Sequence, residues 1–363
     1  MTYLDYQATT PLAPEALAAM LPWLESQHAN PHSAHAPARA AKAAVEAARD
    51  DVAALMPAGG KVSFTSGATE ALNWVIKGTT GPIVTLAIEH AAVLDTVEAE
   101  VRKGREVTVL PIGSDGLVDL TAARAAIRPG TGLVAAMLVN NEIGVVQPIE
   151  QLGELARAAG ALFLCDAVQG YGRVRIPESC DLVAVSAHKI HGPKGVGALW
   201  IRDGVTLEPL LHGGGQEPAG RSGTLSPALC AGFGAVARLA KQRFGADHAH
   251  AEQLFRAALA HVGGEWVLNG SREERYHGNF NVRREGLDVA RLMSDLRDIA
   301  FSAGSACASG SGRPSHVLRA IGLSDAEARS SIRIGFGRYT TEEELLGAIE
   351  RIDAAAREQR FAA

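Results

Sequence analysis

The stretch "PIVTLAIEHAAVLDTVEAEVRKGREVTVLPI", residues 82–112, decides the fold. It opens with a short, almost wholly apolar run (82–88). A helix-forming segment follows (91–103), and then a second β-branched run (106–112). Strands of four to eight continuous apolar residues are expected where both sheet faces are covered, and such strands are parallel and joined by crossover helices. The pattern continues on both sides. Helix-type "ARAAKAAVEAARDDVAALM" (38–56), strand-type "VSFT" (62–65) and helix-type "ATEALNWVIKG" (68–78) precede it. After it come helix-type "LTAARAAI" (120–127), strand-type "GLVAAMLV" (132–139) and helix-type "IEQLGELARAAG" (149–160). Strand-type "ALFLCDA" (161–167), "LVAVSA" (182–187) and "GALWIR" (197–202) complete the series. The expectation is an α/β protein with a mostly parallel sheet.

Beyond about residue 245 the texture changes to helix-type "DHAHAEQLFRAALAHVG" (247–263), strand-type "NFNVRR" (279–284) and helix-type "DVARLMSDLRD" (288–298). Then come helix-type "HVLRAIGL" (316–323), strand-type "SIRIGFG" (331–337) and a terminal helix (342–360). This predicts a large domain over 16–245 and a smaller α+β domain formed by 1–15 with 246–363.

Apolar residues make up 47% of the 363, enough for two cores. A net charge of −5 leaves no basic footprint for nucleic acid or an anionic membrane. The run "LVAAMLV" (133–139) is far too short to span a bilayer, and "MTYLDYQATT" (1–10) has no basic-then-apolar leader pattern. The chain reads as a soluble cytoplasmic protein. Its four cysteines have no C-x-x-C spacing, so no metal site is expected. Cys165 and Cys230 lie in apolar runs and Cys180 at a strand start, all packing positions. Cys307, in "FSAGSACASGSG" (301–312), has neither bulky neighbours to bury it nor charged ones to activate it.

In a sheet of this kind ligands bind at the carboxyl ends of the strands. Lys189, in "SAHKIHGPKGVG" (186–197), follows one such strand; alone it reads equally as a solvated loop lysine. Four other loops share that end. "TSGATE" (65–70) offers helix-start amides with the Ser66 and Thr69 hydroxyls, which suit a phosphate. His90 follows a strand, where a capping role is the ordinary one. Asn140 and Asn141 end another, and buried amides need partners. Asp166 ends an apolar run, with Gln169 three residues on; a buried carboxylate needs a cation, which a protonated pyridine nitrogen would supply. A lysine for a Schiff base, a carboxylate for a pyridinium and a helix start for a phosphate are together the requirements of pyridoxal phosphate.

The motifs "YLDYQATTPL" (3–12), "FTSGATEALN" (64–73), "EHAAVLDT" (89–96), "NNEIGVVQPI" (140–149) and "DAVQ" (166–169) occur in that order. "SAHKIHGPKGVGALW" (186–200), "HGGGQEPAGRSGTLS" (212–226), "SAGSACASG" (302–310) and "SIRIGFGRYTTEEE" (331–344) follow. Together they resemble the cysteine desulfurases of the class-V aminotransferase family over nearly the whole chain. The resemblance implies a fold-type I pyridoxal-phosphate transferase, with a seven-stranded sheet in the large domain. It implies that Lys189 binds the cofactor covalently, Asp166 pairs with the ring nitrogen, and His90 stacks on the ring and moves protons. Gln169, with Asn141 nearby, would face the ring oxygen. Ala68, Thr69, Ser186 and His188 would hold the phosphate, and Thr224 would reach it from the partner subunit of a homodimer. Arg333 and Asn141 would receive the substrate carboxylate, with Arg338 either a second contact or a structural ion pair.

Cys307 aligns with the nucleophile that takes sulfur from L-cysteine as a persulfide, leaving alanine. Its spacing to "HVLRAIGL" matches the long-loop subgroup that feeds iron–sulfur scaffolds or other sulfur acceptors, and the small residues around it fit a swinging arm. A selenocysteine lyase or sulfide-releasing lyase on the same fold, a non-catalytic sulfur relay and a thiol redox sensor are the alternatives.

Overall fold

A computed structural model describes residues 1–304 and 314–361. In chain order its elements begin with β1 (Thr2–Tyr3), α1 (Pro14–Glu25), α2 (Ala36–Ala53), β2 (Gly60–Thr65), α3 (Ala68–Lys77), β3 (Ile83–Leu86), α4 (Ala91–Val101) and β4 (Val107–Leu110). Then come α5 (Leu120–Ala126), β5 (Leu133–Met137), α6 (Ile149–Ala159), β6 (Leu162–Asp166), β7 (Leu182–Ser186) and β8 (Gly197–Arg202). The long α7 (Pro227–His261) leads to β9 (Val267–Leu268), β10 (Asn279–Arg283), α8 (Val289–Asp295), β11 (Ile299–Ala300) and β12 (Ser302–Ala303). The chain closes with α9 (His316–Ala320), α10 (Asp325–Arg329), β13 (Ser331–Gly335) and α11 (Glu342–Phe361).

The apolar runs become a seven-stranded sheet in the order β2-β8-β7-β6-β5-β3-β4, parallel except for β8, which runs antiparallel to both its neighbours. Strands β3, β5 and β7 are buried at every residue, whereas β4, at the edge, leaves Thr108 and Val109 exposed. Because successive side chains alternate, strands β3, β5, β6, β7 and β8 each feed two cores. Phe163 and Cys165 of β6 join Val134, Val183 and Trp200 on one face. Leu164 joins Leu133, Leu182 and the α3 residues Leu72, Trp74 and Ile76 on the other.

A second sheet, β12-β13-β10-β9, is antiparallel. Its core gathers Phe280, Val282, Ile332 and Ile334 with Leu4 and the α11 residues Leu345, Ile349 and Ile352. Helix α7 serves both cores. Phe233, Val236 and Ala240 enter the first, and Leu254, Phe255 and Ala258 the second. The boundary expected near 245 therefore falls inside one continuous helix of 35 residues. The N-terminus also spans the two parts. Leu4 N–H donates to Ala300 O at 2.7 Å and its carbonyl accepts from Gly335 N–H at 2.7 Å, while Thr10 N–H reaches His188 O at 3.0 Å. That crossing brings residues 5–10 to the carboxyl ends of β6 and β7.

Candidate active site

At those strand ends lies a cavity of about 310 Å³. Ala68, Thr69, His90, Asn141, Asp166, Gln169, Ser186, His188, Lys189 and Arg333 all line it, so ten of the sequence-derived site residues converge. Cys307 lies outside the described residues, as does the expectation of a swinging arm around it. Thr224 is exposed and does not line the cavity of its own chain.

Strand β7 ends in a single 3-10 turn, Ala187–Lys189, which presents Lys189 to the cavity. Its Nζ donates to the carbonyls of Gln7 (2.6 Å) and Ala8 (2.7 Å). The turn is tied from outside. Thr10 Oγ1 accepts from His191 N–H at 2.7 Å and donates to His188 O at 2.9 Å, which holds His191 at a positive φ of 71°. His188 Nδ1 lies 3.1 Å from Thr9 Oγ1. Burial and the charge of Lys189 push the His188 ring down to about 4, so it stands neutral at physiological pH.

Asp166 terminates β6 and is buried; its Oδ1 accepts from Val168 N–H at 3.0 Å. Burial raises its pKa, opposed by that hydrogen bond, by His90 and by Lys189. A cation brought against it would reverse the shift. His90 caps α4: its Nδ1 accepts from Ala92 N–H at 3.0 Å, so in the neutral ring the proton sits on Nε2. Burial lowers the pKa of His90, with Asp166 opposing. Glu89, fully buried, accepts from Met137 N–H at 2.8 Å and is raised well above the usual carboxyl range by burial and by Asp166.

The start of α3 forms the opposite wall. Ser186 Oγ accepts from Ala68 N–H at 2.9 Å, fixing the first turn. Gly197 permits this closeness: a Cβ there would fall 2.7 Å from Gly67 Cα and 2.5 Å from Val185 O. The helix start presents backbone N–H groups and its positive dipole end to the cavity, an anion cradle. Ser66 does not contribute as expected. It is exposed, and its N–H donates to Glu70 Oε2 at 2.7 Å. Helix start, neutral imidazole, buried carboxyl and amine thus offer an aromatic, phosphate-bearing aldehyde such as pyridoxal phosphate a partner for each of its polar groups.

Arg333, on β13, brings a guanidinium to the cavity although its side chain is only 1% exposed. Nη1 donates to Asn141 O at 3.0 Å and Nη2 to Asp5 Oδ1 at 2.8 Å, while buried Nε has no partner among the described residues. Asn140 is structural. Its Nδ2 donates to Ile88 O at 2.9 Å, and its Oδ1 accepts from the N–H groups of Glu142 (2.8 Å) and Ile143 (2.9 Å). Arg338 points away into an ion pair with Asp247 at 2.6 Å, the structural one of its two readings. Cys165, Cys180 and Cys230 are buried free thiols, with Cys180 two residues before β7 rather than within it.

Sequence reasoning missed Gln7, Ala8, Asp5 and Glu89 as parts of the site or its supports. Only the N-terminal "YLDYQATT" run hinted at the first three, because their partners lie far away in the chain. Among the described residues no group of His, Cys, Asp and Glu is set to hold a metal ion, and no helix is long and apolar enough to cross a membrane.

The profile of the class-V aminotransferase family matches residues 2–346. Over 361 residues the chain is 46% identical to the mitochondrial cysteine desulfurase of Saccharomyces cerevisiae, covering 94% of this chain and 72% of that one. It is 43% identical over 367 residues to the cysteine desulfurase IscS of Rickettsia bellii, covering 96% and 90%. Among solved structures it is similar to a NifS-like protein, with a TM-score of 0.88 at 32% identity over 97% of this chain and 98% of that one. It is also similar to SspA in complex with cysteine, with a TM-score of 0.84 at 37% identity over 94% and 100%.

Proposed function

Because this chain belongs to the class-V aminotransferase family, as one of its cysteine desulfurases, we infer that the cavity binds pyridoxal phosphate and L-cysteine and that sulfur leaves it on Cys307. The convergence of Lys189, Asp166, His90 and Arg333 on one cavity carries this reading. When bound, the cofactor supplies an electron sink that lets a proton leave the substrate Cα.

The remaining work falls to the chain. The helix start at Ala68 and Thr69, with Ser186 and neutral His188, holds the phosphate. Asp166 would hold a proton on the ring nitrogen, a cation that would in turn keep the buried carboxyl ionised. Gln169 would donate to the ring oxygen. Lys189 Nζ, already directed by the carbonyls of Gln7 and Ala8, anchors the cofactor and then moves the Cα proton. Arg333 would receive the substrate carboxylate with Asn141 beside it, and His90 would stand beside the ring and relay protons. The Cys307 thiolate attacks the substrate sulfur, the C–S bond breaks, and a proton is returned to the carbon. L-cysteine and a thiol thus become alanine and a persulfide, with no outside oxidant or reductant.

The enzyme acts in the cytoplasm as a homodimer in which Thr224 of each chain completes its partner's phosphate site. The persulfide passes to an acceptor protein, either an iron–sulfur scaffold or another sulfur carrier. The test is sulfide and alanine release from L-cysteine with added pyridoxal phosphate. Lys189→Ala is expected to abolish both, and Cys307→Ala to keep the visible band of the bound cofactor while losing sulfur transfer. Sulfide release by Cys307→Ala at the wild-type rate would replace the persulfide route with direct elimination.

A further inference from the structure

Arg173, in "VQGYGRVR" (168–175), is absent from every role assigned above, yet it touches two residues of the site. Its Nη1 donates to Gln169 Oε1 at 3.0 Å, and its Nη2 donates to Lys189 O. On its other side the Gln169 amide donates from Nε2 to Gln7 O at 2.9 Å, the same carbonyl that accepts from Lys189 Nζ at 2.6 Å. A guanidinium can only donate and a peptide carbonyl can only accept, so the two ends of this amide cannot be exchanged. Gln7 and Gln169 line the main cavity, whereas Arg173 lines a separate small one. The oxygen of the amide is therefore held by a residue outside the main cavity's lining and its NH2 by one within that lining, with one hydrogen on Gln7 O and one remaining.

Arg173 forms no ion pair among the described residues, and the Tyr276 ring lies 5.1 Å from its guanidinium carbon. His191, Asp247 and Arg338 line the same small cavity, where Asp247 is bonded to Arg338 rather than to Arg173.

We propose that Arg173 is a positioning residue: it locks the Gln169 amide with an N–H directed at the cofactor's ring oxygen, and it holds a positive charge behind that contact. The inference rests on the cofactor reading above. It assigns a function to the hydrogen-bonded ring Arg173–Gln169–Gln7–Lys189, which also registers the lysine main chain against the residue that meets the ring oxygen.

The test is a pH titration of the visible absorbance of the cofactor-loaded protein. Both effects of Arg173 favour the deprotonated, more anionic chromophore. Arg173→Met is therefore expected to raise the titration midpoint by about one pH unit. Arg173→Lys restores the charge and is expected to return the midpoint most of the way. Because Arg173 acts through Gln169, adding Arg173→Met to Gln169→Leu is expected to shift the midpoint by less than the sum of the two single shifts. An unchanged midpoint in Arg173→Met, even with a lowered melting temperature, would overturn the proposal and leave a purely structural arginine. Should that variant not fold, the neutral Arg173→Gln decides by the same criterion. A wild-type protein with no visible band would sink the cofactor reading instead, so the two failures are told apart.

Discussion

Arg333 Nη2 lies 2.8 Å from Asp5 Oδ1, and Ser302 Oγ donates to that same oxygen at 2.9 Å. A guanidinium that is 1% exposed is costly to bury unpaired. Asp5 offsets that cost and aims the fork, since Nη1 is held at the same time by Asn141 O at 3.0 Å. The guanidinium proposed to receive the substrate carboxylate is thus held by three distant segments.

Arg333→Lys keeps the charge but loses the planar fork, so it cannot satisfy Asp5, Asn141 O and a ligand carboxylate together. Losing one charged hydrogen bond, about 1.5–3 kcal/mol, predicts a kcat/KM for L-cysteine lower by roughly 10- to 150-fold, mostly through KM. Steady-state kinetics at saturating pyridoxal phosphate check this. An unchanged kcat/KM would place the carboxylate contact elsewhere.

Arg338 tests the opposite case. Its side chain is 7% exposed and bonds Asp247 on α7 at 2.6 and 2.9 Å. Arg338→Met leaves Asp247 with Arg243 alone, at 3.1 Å, and is expected to cost about 1–2 kcal/mol of stability, Asp247 being partly exposed. The KM for L-cysteine is expected to stay at the wild-type value. A large rise in KM with unchanged melting would make Arg338 a substrate contact.

How much of this was legible in the residues follows from where each signal resides. The alternating strands and helices were readable because β3, β5 and β7 are buried on both faces and so lack polar interruptions. Helix α1 escaped notice because Pro22 sits inside it. The continuity of α7 was hidden because its Ala- and Gly-rich first half is buried at every position from Gly232 to Ala237 and so reads as apolar throughout, unlike its one-faced second half. Lys189, Asp166 and His90 stood out by following apolar strands. Asp5 and Gln7 did not, because their roles depend on partners 328 and 162 residues away. Asn140 and Asn141 looked equivalent in sequence; only the local turn shows that the first is satisfied by backbone.

Gly197 permits the close approach of Gly67 on which the proposed phosphate cradle depends, which makes Gly197→Ala informative. The new Cβ would meet Val185 O at 2.5 Å and Gly67 Cα at 2.7 Å, both backbone atoms that cannot rotate aside. We expect a loss of about 1–3 kcal/mol, with weaker cofactor retention because Gly67 and Ala68 must move. Melting curves with and without pyridoxal phosphate, and cofactor content after dialysis, measure the two effects. Normal retention would mean that the helix start is not the cradle.

Glu142 predicts a pH dependence that is independent of catalysis. It is 3% exposed; burial pushes its carboxyl up to about 7 from an ordinary 4.5, against the opposing effects of Ser315 and Arg333. In the unfolded chain it ionises near 4.5. Between those values the native protein holds a proton that the unfolded chain has released, so its contribution to stability falls as pH rises. The contribution is complete below about 4.5 and lost above about 7, a change on the order of 3 kcal/mol. Glu142→Gln keeps an oxygen that can accept from Ser315 Oγ but cannot titrate. It is therefore expected to match the wild type near pH 5 and exceed it in stability at pH 8. Urea unfolding across that range reads the difference directly. Glu89, raised in the same direction, is present in both proteins and cancels. If the two stability profiles run parallel from pH 5 to 8, Glu142 carries no titrating proton in that range.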